Sequence, residues 1–124
     1  MTTWTSDELA RIGSAEEVQI ESRRRDGSLA RLRTIWVVRH GGDLYVRSVN
    51  GRESAWFRGT QVQHAGHIEA GGVSKDVAFA DPGDDIGGDL DAAYRDKYRR
   101  YPANIVGSVL TPQARAATLK LVPS

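Results

Sequence analysis

Hydrophobic and polar residues alternate along most of the chain, which is the pattern of half-buried β-strands. Val18 and Ile20 alternate with Gln19 and Glu21, and several longer runs follow. The pattern predicts strands at residues 18–21, 32–39, 44–49, 65–70, 73–80 and 117–122. Most of the chain is therefore expected to form antiparallel sheet.

Two Gly-Gly pairs join neighbouring strands into predicted hairpins, because glycine adopts the positive φ that a two-residue turn requires. A turn at Gly41-Gly42 pairs residues whose numbers sum to 83, which places Thr34 opposite Val49, Ile35 opposite Ser48 and Trp36 opposite Arg47. A turn at Gly71-Gly72 pairs residues that sum to 143, so His67 lies opposite Asp76.

Helices are predicted where capping residues precede a period of 3.6 residues. Thr5 and Glu8 form a capping box ahead of a short first helix, and Ser54 begins a second. Residues 89–101 repeat apolar side chains at helical spacing, and Thr111-Pro112 begins one further turn before the last strand.

About six antiparallel strands with flanking helices indicate a mainly β fold, a small antiparallel barrel formed by residues 1–124 as one domain. The strand at 32–39 is apolar on both faces, with Ile35 and Val37 on one side and Trp36 and Val38 on the other. Such a strand is covered on both sides. We therefore expect a homodimer in which the partner chain covers the second face.

Composition narrows the functional classes. The chain has 124 residues, no cysteine and a net charge of +1, so disulfide scaffolds and thiolate chemistry are excluded and nucleic acid is not an expected partner. No apolar run reaches the length of a membrane span, and the N-terminus has neither a basic start nor an apolar run. These features predict a cytoplasmic protein without a membrane partner.

Familiar catalytic and metal motifs are weak. His64 and His67 with Glu69 or Asp76 form a poor ligand set, so no metal site is predicted. The acidic loop 81–89 lacks the closing glutamate of a calcium loop. Hydrolase and nucleotide-binding signatures do not occur, and the catalytic residues stay unknown. A stripe of tyrosines in the predicted helix is more typical of core than of proton donors; its members are Tyr94, Tyr98 and Tyr101.

A bias of positive charge within the central hairpin is the feature with functional content. Residues 23–58 contain nine arginines against three acidic residues, a local balance of +6. Arginine suits phosphate or carboxylate, and the nearby Trp36 and Trp56 suit a flat ring. The other interpretation is that the arginines are surface groups and the tryptophans are core.

Six segments carry a resemblance to a known family: 34–38, 43–48, 55–58, 70–73, 93–98 and 117–123. From Trp4 to Pro123 the chain resembles the bacterial domain of unknown function family 2255. The order of elements is also similar to the split β-barrel flavoproteins, the group of pyridoxamine-phosphate oxidase and the deazaflavin-dependent nitroreductases.

That second resemblance implies a homodimer with FMN or a deazaflavin coenzyme at the subunit interface, and a hydride transfer to an unknown small-molecule acceptor. By position, the ring would lie against Arg33, Thr34, Ile35 and Trp36. The phosphate would be reached by Arg47, Ser48, Asn50, Gly51 and Arg52. The alternative is a cofactor-free binding or structural dimer that retains the barrel.

Overall fold

Seven antiparallel strands form one sheet in the computed structural model, which describes residues 3–83 and 85–124. Along the sheet their order is β2-β1-β5-β6-β7-β4-β3. The strands are β1 Val18–Ser22, β2 Arg33–Ile35, β3 Val38–His40, β4 Asp43–Arg47, β5 Ala65–Ala70, β6 Val73–Ala80 and β7 Thr118–Pro123.

The two edges of this sheet are neighbours in the chain. Ile35 ends β2 at one edge and Val38 begins β3 at the other, so only Trp36 and Val37 join them. Three residue steps of extended chain span at most about 10 Å. The sheet must therefore curl until its edges nearly meet, and it stays open between β2 and β3. The predicted mainly β fold, a split β-barrel with flanking helices, is confirmed, with seven strands instead of about six.

Helices cap and flank the barrel, and the predicted N-terminal caps are confirmed. Thr5 and Glu8 form the capping box, while the side chains of Ser54 and Thr111 accept hydrogen bonds from Phe57 and Ala114 N–H groups. The helices are α1 Ser6–Ser14, α2 Ala55–Gln63, α3 Gly87–Lys97, α4 Ala103–Gly107 and α5 Pro112–Ala116. Helix α4 was not predicted, because five residues are too few to show a helical period.

The hairpin registers are confirmed close to the turns. Val38 pairs with Tyr45 around the first turn, and His67 pairs with Asp76 around the second. Farther from the first turn the prediction is wrong. Thr34 pairs with Gln19 of β1 instead of Val49, and Ile35 pairs with Val18 instead of Ser48. Nor does Trp36 lie opposite Arg47, since it belongs to neither strand.

Side chains from α3 and the residue after it explain this break. The Trp36 ring stacks on the Tyr98 ring, with centroids 3.8 Å apart and planes 4° apart. The Tyr98 hydroxyl accepts a hydrogen bond from Val37 N–H at 3.2 Å, and Lys97 Nζ donates to the Val37 carbonyl at 2.6 Å. Because side chains satisfy both backbone groups of Val37, the predicted strand 32–39 divides into β2 and β3.

The division also distributes Val37 and Val38 between two cores. Val37 is buried in the barrel interior, and Val38 is buried beneath α3 with Tyr45, Leu90 and Tyr94. The chain itself therefore covers both faces of this segment, so the predicted need for a partner chain on the second face is corrected. Dimerisation itself stays a prediction.

Candidate functional site

A cleft of about 350 Å³ lies at the opening of the barrel. We call it the seam cleft. It brings together seven of the ten predicted site residues, namely Thr34, Ile35, Trp36, Arg47, Ser48, Asn50 and Trp56. Residues 34–36 and 47–50 are separated in sequence, and they meet because the strand break brings the end of β2 beside the end of β4. Whether these residues contact a cofactor stays a prediction.

The walls of the seam cleft are mostly flat and apolar. Trp36 is held by its stacking on Tyr98, and Trp56 packs edge-on against Phe57 with centroids 6.1 Å apart. Both tryptophans are only partly buried. Val49 and Ile105 complete the wall, although they are 47% and 44% exposed. Such surfaces suit an aromatic ring that one chain covers incompletely.

The polar groups in the cleft are few and largely neutral. Ser48 Oγ lies 2.8 Å from Ser54 Oγ, and Ser108 Oγ donates to the carbonyl of Ile105 at 2.6 Å. Thr34 and Asn50 are exposed at the rim. Glu17 supplies a carboxylate, so the lining offers hydrogen bonds for orientation but no concentration of positive charge.

Arg47, at the end of β4, does not offer its guanidinium to the cleft. It is 2% exposed, and Nη1 donates to Asp91 Oδ1 at 2.5 Å and to the Val109 carbonyl at 2.9 Å. Its Nε donates to Thr118 Oγ1 at 3.1 Å, and its Nη2 donates to the Gly87 carbonyl at 3.2 Å. Its aromatic neighbour is Tyr94, 5.4 Å from Cζ, and not the predicted Trp36. Arg47 therefore ties β4 to α3.

Asp91 is the acceptor at the centre of this arrangement. It is 1% exposed and also bonds Arg115. Burial by itself raises the pKa of the Asp91 carboxyl, but the hydrogen bonds and charges of Arg115 and Arg47 outweigh that effect and hold the pKa below its usual range. Asp91 is therefore a permanent anion at neutral pH, which compensates Arg47.

The other three predicted residues lie away from the seam cleft. Gly51 is buried at φ +78°, where an added Cβ would lie 2.5 Å from Gln113 Cγ, so it occupies a tight turn. Arg52 donates to the Ala116 carbonyl at 2.9 Å and lies over the Phe57 ring, beside a different groove. Arg33 lines a second cavity.

This second cavity contains the positive charge that the seam cleft lacks. Its volume is about 190 Å³, and it lies between β1, β2 and α2. We call it the arginine cavity, after Arg24, Arg31 and Arg33 in its wall. Its lining in the described part of the chain contains no acidic residue. Trp56 lines both the arginine cavity and the seam cleft, so the two are neighbours.

The tyrosine stripe is core, as its spacing favours. Tyr94 and Tyr98 are fully buried, and burial raises the pKa of each phenol. Burial also lowers the pKa of Lys97 to about 8. These three side chains hold the region behind Trp36, and none lines the seam cleft within the described residues.

The histidines are separated in the fold. His67 lies between Asp76 and Ser74 on the sheet surface, at 2.8 Å from each, whereas His64 ends α2 at φ 54° beside another groove. Among residues 3–83 and 85–124, no cluster of three metal-ligating side chains is present. No helix in those ranges is long and apolar enough to cross a membrane.

Sequence reasoning missed several cleft residues. They are Glu17, Val49, Ile105, Ser108 and Val109. Ile105 lies in α4, and Ser108 and Val109 follow the end of that helix, which the sequence pattern did not reveal. One signal was available: Pro102 can begin a new helix, and two pairs of large apolar residues follow it at Ile105-Val106 and Val109-Leu110.

The sequence model of one protein family, DUF2255, matches residues 8–121 and is described as "Uncharacterized protein conserved in bacteria". A comparison with curated proteins finds no match.

Solved structures show the same fold at low sequence identity. An F420 reductase is 16% identical, with a TM-score of 0.61 over 94% of this chain and 92% of that chain. A heme storage protein from Vibrio cholerae is 10% identical, with a TM-score of 0.62 over 96% and 89%. A FAD-binding protein from Mesorhizobium loti is 15% identical, with a TM-score of 0.56 over 98% and 91%.

Proposed function

Since the chain belongs to the bacterial family DUF2255 and has a split β-barrel fold, we propose that it binds a flavin or deazaflavin ring in the seam cleft and acts as an oxidoreductase on a small molecule. The observation that carries the proposal is the cleft itself. Trp36 and Trp56 form flat walls at the only break between the edge strands of the described sheet.

The chemistry of the lining favours a flavin-type ring over heme, which a structural neighbour is named for. Heme iron in proteins is held by histidine, cysteine, methionine or tyrosine. None of the described residues lining the seam cleft is of these types. A flavin or deazaflavin requires no such ligand, because apolar packing and a few hydrogen bonds hold it.

The residues of the cleft would bind and orient the ring. Trp36 and Ile35 would pack on it from the β2 side and Trp56 from the α2 side, while Thr34 and Asn50 supply hydrogen bonds at the rim. When bound, the cofactor supplies the hydride chemistry. The protein would provide the orientation and the exclusion of water.

We also propose that a second copy of the chain completes the site. Val49 and Ile105 lie on the rim of the cleft and are among the large apolar side chains that remain exposed. Covering these residues would remove apolar area from water and close the open side of the ring site. The proposed assembly is a homodimer, with the cleft at its interface.

Riboflavin binding tests the ring site, because riboflavin carries the ring without a phosphate. Titration followed by tryptophan fluorescence should show saturable quenching, and Trp56→Leu should weaken the binding at least tenfold. Leu32→Ala is the matched control, since Leu32 is 44% exposed and lies outside the cleft. Reduced FMN or reduced deazaflavin is then mixed anaerobically with quinone and nitroaromatic acceptors, and protein-dependent reoxidation is measured.

The proposal fails if neither riboflavin, FMN nor deazaflavin binds at up to millimolar concentration. A protein that sediments as a dimer but binds none of them would instead be a cofactor-free dimer that retains the barrel.

A further inference from the structure

We infer that the arginine cavity binds the anionic group of the ligand, and that this group reaches it from the seam cleft past Trp56. The inference rests on the proposed function for the ring, but the anion site can be tested by itself. The family resemblance implied a phosphate beside Arg47 and Arg52. The phosphate site proposed here lies instead beside Arg24, Arg31 and Arg33.

The hydrogen-bond partners of the arginine side chains indicate where an anion can bind. All three nitrogens of Arg47 donate to protein oxygens, and Arg52 donates to Ala116 beside another groove. By contrast, the side chains of Arg31 and Arg33 make no hydrogen bond or ion pair with any residue that the structure describes. Arginine presents a fixed fork of donors that matches phosphate oxygens, so these two side chains are available for an anion.

The floor of the arginine cavity is also built for a polar ligand. Ser22, at the end of β1, is 6% exposed and lines the cavity, and within the described ranges its hydroxyl has no hydrogen-bond partner. Gly59 of α2 lies directly opposite, where an added Cβ would be 2.6 Å from Ser22 Oγ. The Ser22 hydroxyl faces the cavity and is available to donate a hydrogen bond to a phosphate oxygen there.

The relation between the cavity and the cleft follows from the geometry of β2. Arg33 and Ile35 are two residues apart in this strand, so their side chains point to the same face at a spacing of about 7 Å. Arg33 lines the arginine cavity, Ile35 lines the seam cleft, and Trp56 lines both. A ring joined by a short flexible linker to a phosphate fits this arrangement.

Comparison of riboflavin with FMN tests the inference, because the two differ only in the phosphate. FMN should bind at least tenfold more tightly, and the difference should shrink as salt is raised. The double variant Arg31→Gln/Arg33→Gln should bind both compounds equally. Arg25→Gln/Arg58→Gln is the matched control with the same net charge, since both arginines are exposed and line neither cavity. The control should retain the preference for FMN.

A titration with inorganic pyrophosphate separates this inference from the proposed ring site. Saturable NMR shifts at Ser22, Arg31 and Arg33 support the anion site even if no flavin binds. If pyrophosphate causes no saturable shift there, or if Arg31→Gln/Arg33→Gln keeps the tenfold preference for FMN, the anion site is refuted even if riboflavin binds normally in the seam cleft.

Discussion

Replacing Arg47 by alanine is expected to remove about 3–5 kcal/mol from the free energy of unfolding, the usual effect of breaking a buried ion pair from one side. The substitution leaves Asp91 1% exposed, with Arg115 as its remaining cationic partner, and it deprives the carbonyls of Val109 and Gly87 of a donor. A domain of this size has about 5–15 kcal/mol in total, so the loss is a large fraction.

The expected change in melting temperature follows from chain length. Unfolding entropy is about 2.1 cal/mol/K per residue, so a chain of 124 residues has about 0.26 kcal/mol/K. A loss of 3–5 kcal/mol then lowers the melting temperature by roughly 12–19 °C. Urea unfolding measures the loss of free energy, and calorimetry independently measures the fall in melting temperature.

Arg115→Ala is the control. Arg115 is the second arginine that pairs with Asp91, and its side chain is 51% exposed. Because only the Arg115 end of this pair is exposed, its loss should cost less than the loss of Arg47, whose side chain is buried together with Asp91. The double variant Arg47→Met/Asp91→Leu should recover part of the lost stability, since apolar residues replace the charged pair while the Val109 and Gly87 carbonyls still lack their donor. If Arg47→Ala lies within about 1 kcal/mol of Arg115→Ala, the ion pair is not what ties β4 to α3.

The pH dependence gives a second readout of the same pair. The folded-state pKa of Asp91 is depressed, so its contribution is complete above the unfolded value of about 3.9 and is lost as pH falls through the folded value. Asp91→Asn should therefore be less stable than the parent at pH 6, and the gap should narrow toward pH 2. A gap that stays constant over this range contradicts the assigned charge.

Further predictions concern the strand break and the cleft rim. Tyr98→Phe should lower the free energy of unfolding by about 1–3 kcal/mol, because the buried Val37 N–H loses its acceptor; a change below about 0.5 kcal/mol in urea contradicts this role. The side chain of Lys97 should titrate near pH 8 by NMR. An unfolded lysine keeps its proton to about pH 10.4, so the free energy of unfolding should rise between pH 8 and pH 10.4. An NMR midpoint above pH 10 contradicts the burial of the Lys97 ammonium. Val49→Asp and Ile105→Asp should each shift sedimentation from dimer to monomer, whereas Val62→Asp, equally exposed but away from the cleft, should not; a parent that sediments at 13.6 kDa refutes the dimer.

Local signals in the sequence were sufficient for the hairpins and the caps. Gly71-Gly72 fixes the register of β5 and β6, and Thr5 with Glu8 fixes the start of α1, because in each case the interacting groups are close in sequence. Seven of the ten predicted site residues line the seam cleft, because most of them flank the β3–β4 hairpin, while their contact with a cofactor stays a prediction.

What the sequence did not reveal depends on distant side chains. The division of strand 32–39 requires Tyr98, which bonds Val37 across 61 positions, and no local pattern marks that contact. The role of Arg47 depends on Asp91, 44 positions away. The hairpin alone suggests that Arg47 is a cation available to a ligand, whereas its contact with Asp91 makes it part of the core. Arg31 and Arg33 differ from Arg47 because they have no such partner among the described residues.

The break at Trp36-Val37 bears on how the proposed ring would enter the seam cleft. A closed barrel would have to break ladder hydrogen bonds before a ring could pass between its strands. Here Tyr98 and Lys97 already bond the backbone groups of Val37, so the seam cleft is open without the loss of any strand pairing. The association rate of the proposed ring with the seam cleft should therefore be limited by diffusion and desolvation, with a weak temperature dependence. This rate should not follow the rate at which the sheet opens to hydrogen exchange.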